Sequence, residues 1–497
     1  MSFLAVDIGS SACKAVAFTL DGNILARHSR SYRPDFPRPS HAEMNPACFW
    51  DAVCGCTQSV AKDLADPVRA VCLSSHGETF IPVNQAGEAI APAIINQDNR
   101  ATNEADWIEN QLGRKRLFEI TGLVTHPMYP VPKLLWLRKH QPEVFSSAAS
   151  FVTVIGYILT RLRLPPYADY SLASRYLAFN VRKQRWAQEI LEASGLRSDH
   201  LPVPVAAGTV VGKLDADAAS QIGVPCGTPI ILGGHDQPSG ALGVGVIKSG
   251  QAADSMGTYE CVLVASDSPV LSDAALEGSL NSYCHVVQGK FVTIAYFPSG
   301  IMVKWFHDLL YGDDFAVSES EHYAALEASA PQGPTGLCIT PNLIGTCNPD
   351  FDPKARAMMY GLNPVTGRAE IYKGILEGIA CELNLVTRLL TKAVGDFQNV
   401  HVSGGGTRSP LGLRLRAALT KKCLHVMQSP EAVCLGGAIL AGVAIGEYKS
   451  VEEAVRAVVR ESAVVEPDVD LAAGYAEQLK RYECWRSSVA SWAKEEW

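Results

Sequence analysis

Residues 232 to 243 read LGGHDQPSGALG, a single carboxylate, Asp236, set among glycines with His235 before it and Gln237 and Pro238 after it. A turn aspartate accounts for such a stretch, and so does a working carboxylate around which bulk has been removed to admit two reactants. Three other stretches carry residue types suited to phosphate. In VDIGSSACK, Asp7 ends a run of β-forming residues, and Gly9, Ser10 and Ser11 supply a tight turn whose backbone N–H groups can face an anion. Asp7 is of the right type to hold a hydrated Mg2+, an ion that takes few carboxylates and keeps its waters. In SMGTYE, Gly257 and Thr258 offer a second turn with a hydroxyl. In VSGGGTRSP, Gly404, Gly405 and Gly406 let backbone approach a flat ligand, while the helix that follows begins with free N–H groups. Singly, each corner is an ordinary turn. Their order along the chain, with Asp236 between them, is the informative feature.

Such corners need strands that end together. FLAVDIG, SSACK and AVAFTLDGNILARHSRSY predict a three-strand meander with Asp7 at its first corner. Further strands are expected at VRAVCLSS and APAIINQ, and helices around 45–64 and 102–112, the first opened by Asn-Pro. GVGVIKSGQAADSMGTYECVLVA again predicts strand, glycine turn and strand, so the second half begins as the first does, although identity between the halves is too low to establish a repeat. The glycines and KSG near residue 245 divide the chain into units 1–245 and 246–497. NVHVSGGGTRSPLGLRLRAALTKKC predicts a strand, a glycine turn and an amphipathic helix, and Leu471, Tyr475, Leu479 and Tyr482 share a helical stripe suited to packing.

A chain of 497 residues exceeds the roughly 250 to 300 at which one core stops growing, which agrees with two domains. With 43 Lys and Arg against 51 Asp and Glu, the formal charge of -8 argues against a nucleic-acid surface. The fourteen cysteines are scattered, without C-x-x-C spacing, which predicts reduced thiols in a cytoplasmic protein. MSFLAVDIGSS lacks the charged start and apolar stretch of a secretion signal. The apolar run VCLGGAILAGVAIG falls short of the about 20 residues a membrane span needs and predicts a buried helix.

The pattern G-x-x-x-x-G-K-[ST] is absent, and no G-x-G-x-x-G stands between strand and helix with a later acid, so neither a Walker-type nor a dinucleotide site is expected. Taken together, VDIGSSACK, HGETF, NQDNRA, MYPVPKLLWLRKH, GGHDQPSGALG, SMGTYE and SGGGTRSPLGLRLRAA resemble the FGGY family of carbohydrate kinases, in the family's order from residue 6 to residue 418. MYPVPKLLWLRKH fits the first family signature, including Lys133 and Trp136. AMMYGLNPVTGRAEIYKGILEG keeps Gly361, Leu362, Glu370 and Glu377 of the second, but Gly374 stands where alanine or serine is usual, an expected loosening of packing.

The resemblance implies an α/β chain with two domains of the actin, hexokinase and Hsp70 ATPase fold, mixed sheets flanked by helices, with sugar and ATP meeting in the cleft between them. It implies transfer of the ATP γ-phosphate, with Mg2+, to a hydroxyl of a small sugar or polyol. In motif style the nearest branch is that of the xylulose kinases, acting on a ketopentose. Kinases of ribulose, gluconate, glycerol or erythritol, and ATP-switched proteins of the same fold, stand as alternatives. Asp236 matches the catalytic base. Asp7 matches the acid that coordinates Mg2+ through water, and Lys14 would help neutralise phosphate. Thr258 would touch the transferring phosphate; Gly405, Gly406 and Arg408 would border adenosine. His76, Gly77 and Glu78, with Asp98 and Arg100, would face the sugar. For His235 a substrate contact, tuning of Asp236 and a structural role are all open. No nucleic acid or membrane partner is expected, and a homodimer is the family-level expectation.

Overall fold

The computed structural model describes residues 2–312 and 317–492. The opening meander forms as expected from its apolar, β-branched runs: Ser2–Ile8 (β1), Ala12–Phe18 (β2) and Ile24–Ser31 (β3) pair antiparallel. Val68–Ser75 (β4) lies parallel to β1. Val210–Lys213 (β5) and Pro229–His235 (β6) complete a six-stranded mixed sheet, β6 parallel to β4 and β5 antiparallel at the edge, in the order β5-β6-β4-β1-β2-β3. β1, β4 and β6 are buried along almost their whole length and mainly apolar, as the centre of a sheet covered on both faces requires.

The second sheet is built from Ala252–Met256 (β7), Tyr259–Ser266 (β8), Asn281–Cys284 (β9), Phe291–Pro298 (β10), Asn399–Ser403 (β11), Cys423–Met427 (β12) and Glu461–Val465 (β13). Their order is β9-β10-β8-β7-β11-β12-β13, with β7, β11 and β12 parallel and the rest antiparallel. Leaving β9 aside, this repeats the first sheet: a three-strand meander, two further parallel strands and an antiparallel edge. The similarity of the two halves is thus one of topology, with β9 an addition to the second.

Helices cover both sheets. Pro46–Lys62 starts where Asn-Pro predicts, the Asn45 side chain accepting the Ala47 N–H at 3.0 Å, and the 27-residue helix Arg368–Val394 packs beneath the second sheet. Gly374 of that helix does not loosen packing. A Cβ there would stand 3.0 Å from Ile339 Cδ1 and 3.1 Å from Leu337 Cδ1, so the helix approaches closely because a side chain is missing. Tyr475 and Tyr482 are buried in the second core, donating to Glu377 and Glu382. Among the described residues no helix is long and apolar enough to cross a membrane.

Two helices in equivalent positions tie the halves together. Asp236–Gly243 follows β6 and Ala432–Ala444 follows β12. They cross backbone to backbone: a Cβ on Gly243 would lie 1.8 Å from the Ala432 carbonyl oxygen, and one on Gly436 2.0 Å from that of Ser239. Each also packs on the other half's sheet. Leu435, Ala438 and Ile439 join a core with Phe3, Ala5 and Cys72, while Ala241 packs with Ala253, Leu263 and Ala265.

Candidate active site

In the first sheet Ile8, Ser75 and His235 are in register at the carboxyl ends of β1, β4 and β6, so the three chains leave the sheet side by side. Open parallel sheets bind ligands at that edge. Asp7 with Gly9, then His76-Gly77-Glu78, and then Asp236 are thereby gathered from three distant stretches. Asp236 is the first residue of its helix, and its carboxyl keeps 23% exposure in surroundings that are otherwise buried. Burial first, then the nearby charges of Asp7 and Glu78, hold its pKa well above the usual carboxylate range, against the Gln237 N–H and Arg175. Tyr283 and Cys261 of the second sheet feel its charge, so it lies at the junction of the halves.

Glu78 has φ of 59°, a left-handed conformation that turns the chain sharply after Gly77. Its carboxylate accepts from Arg175 Nε at 2.5 Å. Burial is the largest influence and opposes that charge, but Arg175 together with His235 and Lys133 outweighs it and lowers the Glu78 pKa. The Arg175 guanidinium lies over the rings of Tyr129 (5.2 Å) and Tyr283 (4.6 Å), and its buried Nη1 has no hydrogen-bond partner among the described residues. Gly77 is closely enclosed here, since a Cβ would stand 3.0 Å from Arg175 Cγ and 3.1 Å from His235 Nε2 and would press on both side chains. Nearby, Lys133 Nζ donates to the Glu78 and Ile95 carbonyls, and burial brings its pKa down to about 7.

Three residues assigned to the sugar take other positions. His76 uses both ring nitrogens internally, Nδ1 at 2.9 Å from the Ile8 carbonyl and Nε2 at 2.8 Å from Thr79 Oγ1, so it joins the Asp7 and Glu78 turns instead of offering a nitrogen to a ligand. Asp98 is fully buried and accepts the Ala42 N–H at 2.6 Å and the Arg100 N–H and Nε. Arg100 Nη2 donates in turn to Glu43 at 2.7 Å. These charges close on one another and pin the Glu43 strand. Arg175, Tyr129 and Tyr283 escaped sequence reasoning: Arg175 stands in the unremarkable stretch LASRYLAF, and Tyr129 was visible only as part of a family signature.

On the phosphate side, Gly9 donates its N–H to Ala12 at 2.9 Å, closing the tight turn, and Ser11 is exposed at its tip. Asp7 Oδ1 is buried without a hydrogen-bond partner among the described residues, and burial pushes the Asp7 pKa up to about 6 although Lys14 opposes it. Lys14 is not free for phosphate: its Nζ donates to Glu431 Oε2 at 2.6 Å, and Arg27 reaches the other Glu431 oxygen. An orphaned acidic oxygen at an anion turn fits a hydrated divalent cation, which Asp7 would hold, with Asp236 close by.

The second and third glycine corners meet in the second sheet, where Ser255 and Ser403 are in register and β7 and β11 end together. Gly404 has φ of 94° and lets that turn pass the Met256 carbonyl, which a Cβ would approach to 2.7 Å. Gly257, Thr258, Gly405, Gly406 and Arg408 line one cavity of about 1130 Å³, with Trp305, Tyr323 and Tyr372 among its other walls. Thr258 and Arg408 are exposed to it. Glycine backbone and aromatic side chains in one lining suit a flat heterocycle. Gly404, Asp7 and Asp236 lie outside this lining.

Family models match the chain in two parts, the N-terminal domain of the FGGY family of carbohydrate kinases over residues 2–243 and its C-terminal domain over 252–445. A gluconokinase of Bacillus subtilis (strain 168) is 28% identical over 462 residues, covering 90% of this chain and 88% of that protein. A xylulose kinase of the same organism is 25% identical over 469 residues, covering 93% and 92%. A ligand-bound xylulose kinase from Lactobacillus acidophilus superposes with a TM-score of 0.89 at 24% identity, covering 98% of each chain, a likeness of fold.

Proposed function

The chain belongs to the FGGY family of carbohydrate kinases, with that family's two-domain, actin-like ATPase fold, and we propose that it transfers the γ-phosphate of ATP to a hydroxyl of a neutral ketose or polyol, with Asp236 as general base. The observation that carries this reading is the Asp236 carboxyl, partly exposed at the junction of the two halves, with the Asp7 turn and the Glu78–Arg175 pair beside it. A carboxylate here accepts the proton of the attacking hydroxyl and aligns that oxygen with phosphorus. Asp7 would hold Mg2+, which would supply charge neutralisation for the phosphates. The ion would also bring the raised pKa values of Asp7 and Asp236 down, leaving the base ionised.

The Gly9-Ser10-Ser11 and Gly257-Thr258 turns take the phosphates, with Thr258 nearest the transferring group; Gly405, Gly406 and Arg408 border adenosine. Glu78 and Arg175 read the acceptor's hydroxyls, and His76, Asp98, Arg100 and Lys14 support this frame from behind. Residues 1–245 then form mainly the acceptor domain and 246–497 mainly the nucleotide domain. A neutral acceptor is favoured because Arg175 is already neutralised by Glu78, and Asp7 and Asp236 add further negative charge. An aldonate would bring another carboxylate among them. Within the neutral class, a ketopentose such as xylulose is the reading the motif style supports.

ADP release measured with Mg2+ over xylulose, ribulose, glycerol, erythritol and gluconate tests this. Turnover is expected with one or a few neutral acceptors and is abolished by Asp236→Asn. Turnover confined to gluconate would overturn the acceptor class, and equal ADP release without any acceptor would point to an ATP-switched protein.

A further inference from the structure

The seventh strand of the second sheet, β9, has no counterpart in the first, and it brings Tyr283 to the reacting centre. Tyr283 is fully buried, its hydroxyl 3.1 Å from His235 Nδ1. On the other side of the imidazole, Nε2 stands 3.2 Å from Asp236 Oδ1. The His235 backbone is fixed separately: its N–H donates to Ser171 Oγ at 2.9 Å, and that hydroxyl donates to Asp169 at 2.6 Å. Gly77 leaves the room that the ring occupies.

The protonation state follows from these surroundings. Burial pushes the His235 pKa down to about 3, so the ring is neutral and one nitrogen carries hydrogen. With that hydrogen on Nδ1, the Nε2 lone pair would face Asp236 in the ionised form that a base requires. With it on Nε2, the Tyr283 hydroxyl donates to Nδ1 and the positive edge of the ring at Nε2 lies 3.2 Å from Oδ1, a favourable electrostatic contact without hydrogen-bond alignment.

We infer that Tyr283 and His235 form a chain reaching from the second half of the molecule that sets the rotation of the Asp236 carboxyl, engaging Oδ1 and leaving Oδ2 for the acceptor hydroxyl. His235 is a positioning residue and touches neither acceptor nor nucleotide. Tyr283 comes from one sheet and His235 from the other, so the base is oriented only when the halves meet as they do here. The inference rests on Asp236 being the base.

Steady-state kinetics of His235→Ala, His235→Gln, Tyr283→Phe and Asp236→Asn test it, with whichever acceptor turns over in the ADP assay. A glutamine amide places an N–H near the position of Nε2. Loss of this polar contact to a charged group predicts a fall in kcat of about 10-fold for His235→Ala. The acceptor KM should stay near wild type, and His235→Gln should recover most of the loss. Tyr283→Phe, which removes one oxygen and no packing, should lower kcat in the same direction and add nothing in the His235→Ala background. It carries the test alone should His235→Ala fail to fold. Wild-type kcat in both His235→Ala and Tyr283→Phe, equal loss in the alanine and glutamine variants, or a raised KM with kcat intact would overturn the inference. An active Asp236→Asn would instead overturn the assignment of the base.

Discussion

Replacing Gly243 with alanine puts a methyl group where the crossing of the two central helices has no room. The added carbon would stand 1.8 Å from the Ala432 carbonyl oxygen, and ordinary contact begins at 3.4 Å, so the crossing must open by about 1.6 Å. Both partners are helical backbone and neither can turn aside as a side chain would. Overpacking of this kind costs about 1 to 3 kcal/mol. At about 2 to 4 °C per kcal/mol for domains of this size, the melting temperature should fall by roughly 2 to 12 °C. The kinetic effect should be larger in proportion. Gly243 ends the helix that Asp236 begins, and a displacement near 1 Å of a catalytic group can cost about 100-fold in kcat. Gly240→Ala is the control within the same helix. Its new carbon meets only Val433 Cγ2 at 3.5 Å, and the exchange should be neutral or stabilising by up to about 1 kcal/mol. Differential scanning fluorimetry and initial rates on the two variants decide the matter. Gly243→Ala with unchanged melting and turnover, or equal damage from Gly240→Ala, would refute the reasoning.

The raised pKa of Asp7, about 6 against 3.8, predicts a pH-dependent stability. The folded protein prefers the protonated acid, so this stability is fully present below 3.8 and lost as pH rises through about 6. Asp7→Asn should therefore melt above wild type at pH 8, by an amount equivalent to about 1 to 3 kcal/mol, with the gap closing toward pH 4 and Mg2+ stabilising the wild type alone. Asp98→Asn should cost about 3 to 5 kcal/mol in urea unfolding, because buried Arg100 loses its principal counter-charge, while the acceptor KM changes little. A selective rise in KM would return Asp98 to the substrate.

What could be read from the sequence was local in origin. Glycine corners, the Asn45 cap and the meander depend on neighbours a few residues away, and all three appear where the residue types place them. Charge partners depend on the folded path. Lys14 finds Glu431 417 positions later and Glu78 finds Arg175 97 positions later, so a lysine beside a phosphate turn and a carboxylate beside a glycine carried no sign of being occupied. His76 shows the same limit at shorter range, for its commitment to the Ile8 carbonyl exists only because β1 and β4 run in parallel. The Gly374 contact likewise arises from a strand more than thirty residues away.

The exchange of helices between the halves bears on how such a chain can be divided. A cut at the linker near residue 245 would sever a single peptide bond, yet the amino-terminal piece would lose the cover over Phe3, Ala5 and Cys72, and the carboxy-terminal piece the cover over Ala253, Leu263 and Ala265. Each fragment would present a greasy stripe to water that only the missing partner fits. Although the architecture is duplicated, neither copy is a self-sufficient module, and a split gene would have to express both pieces together.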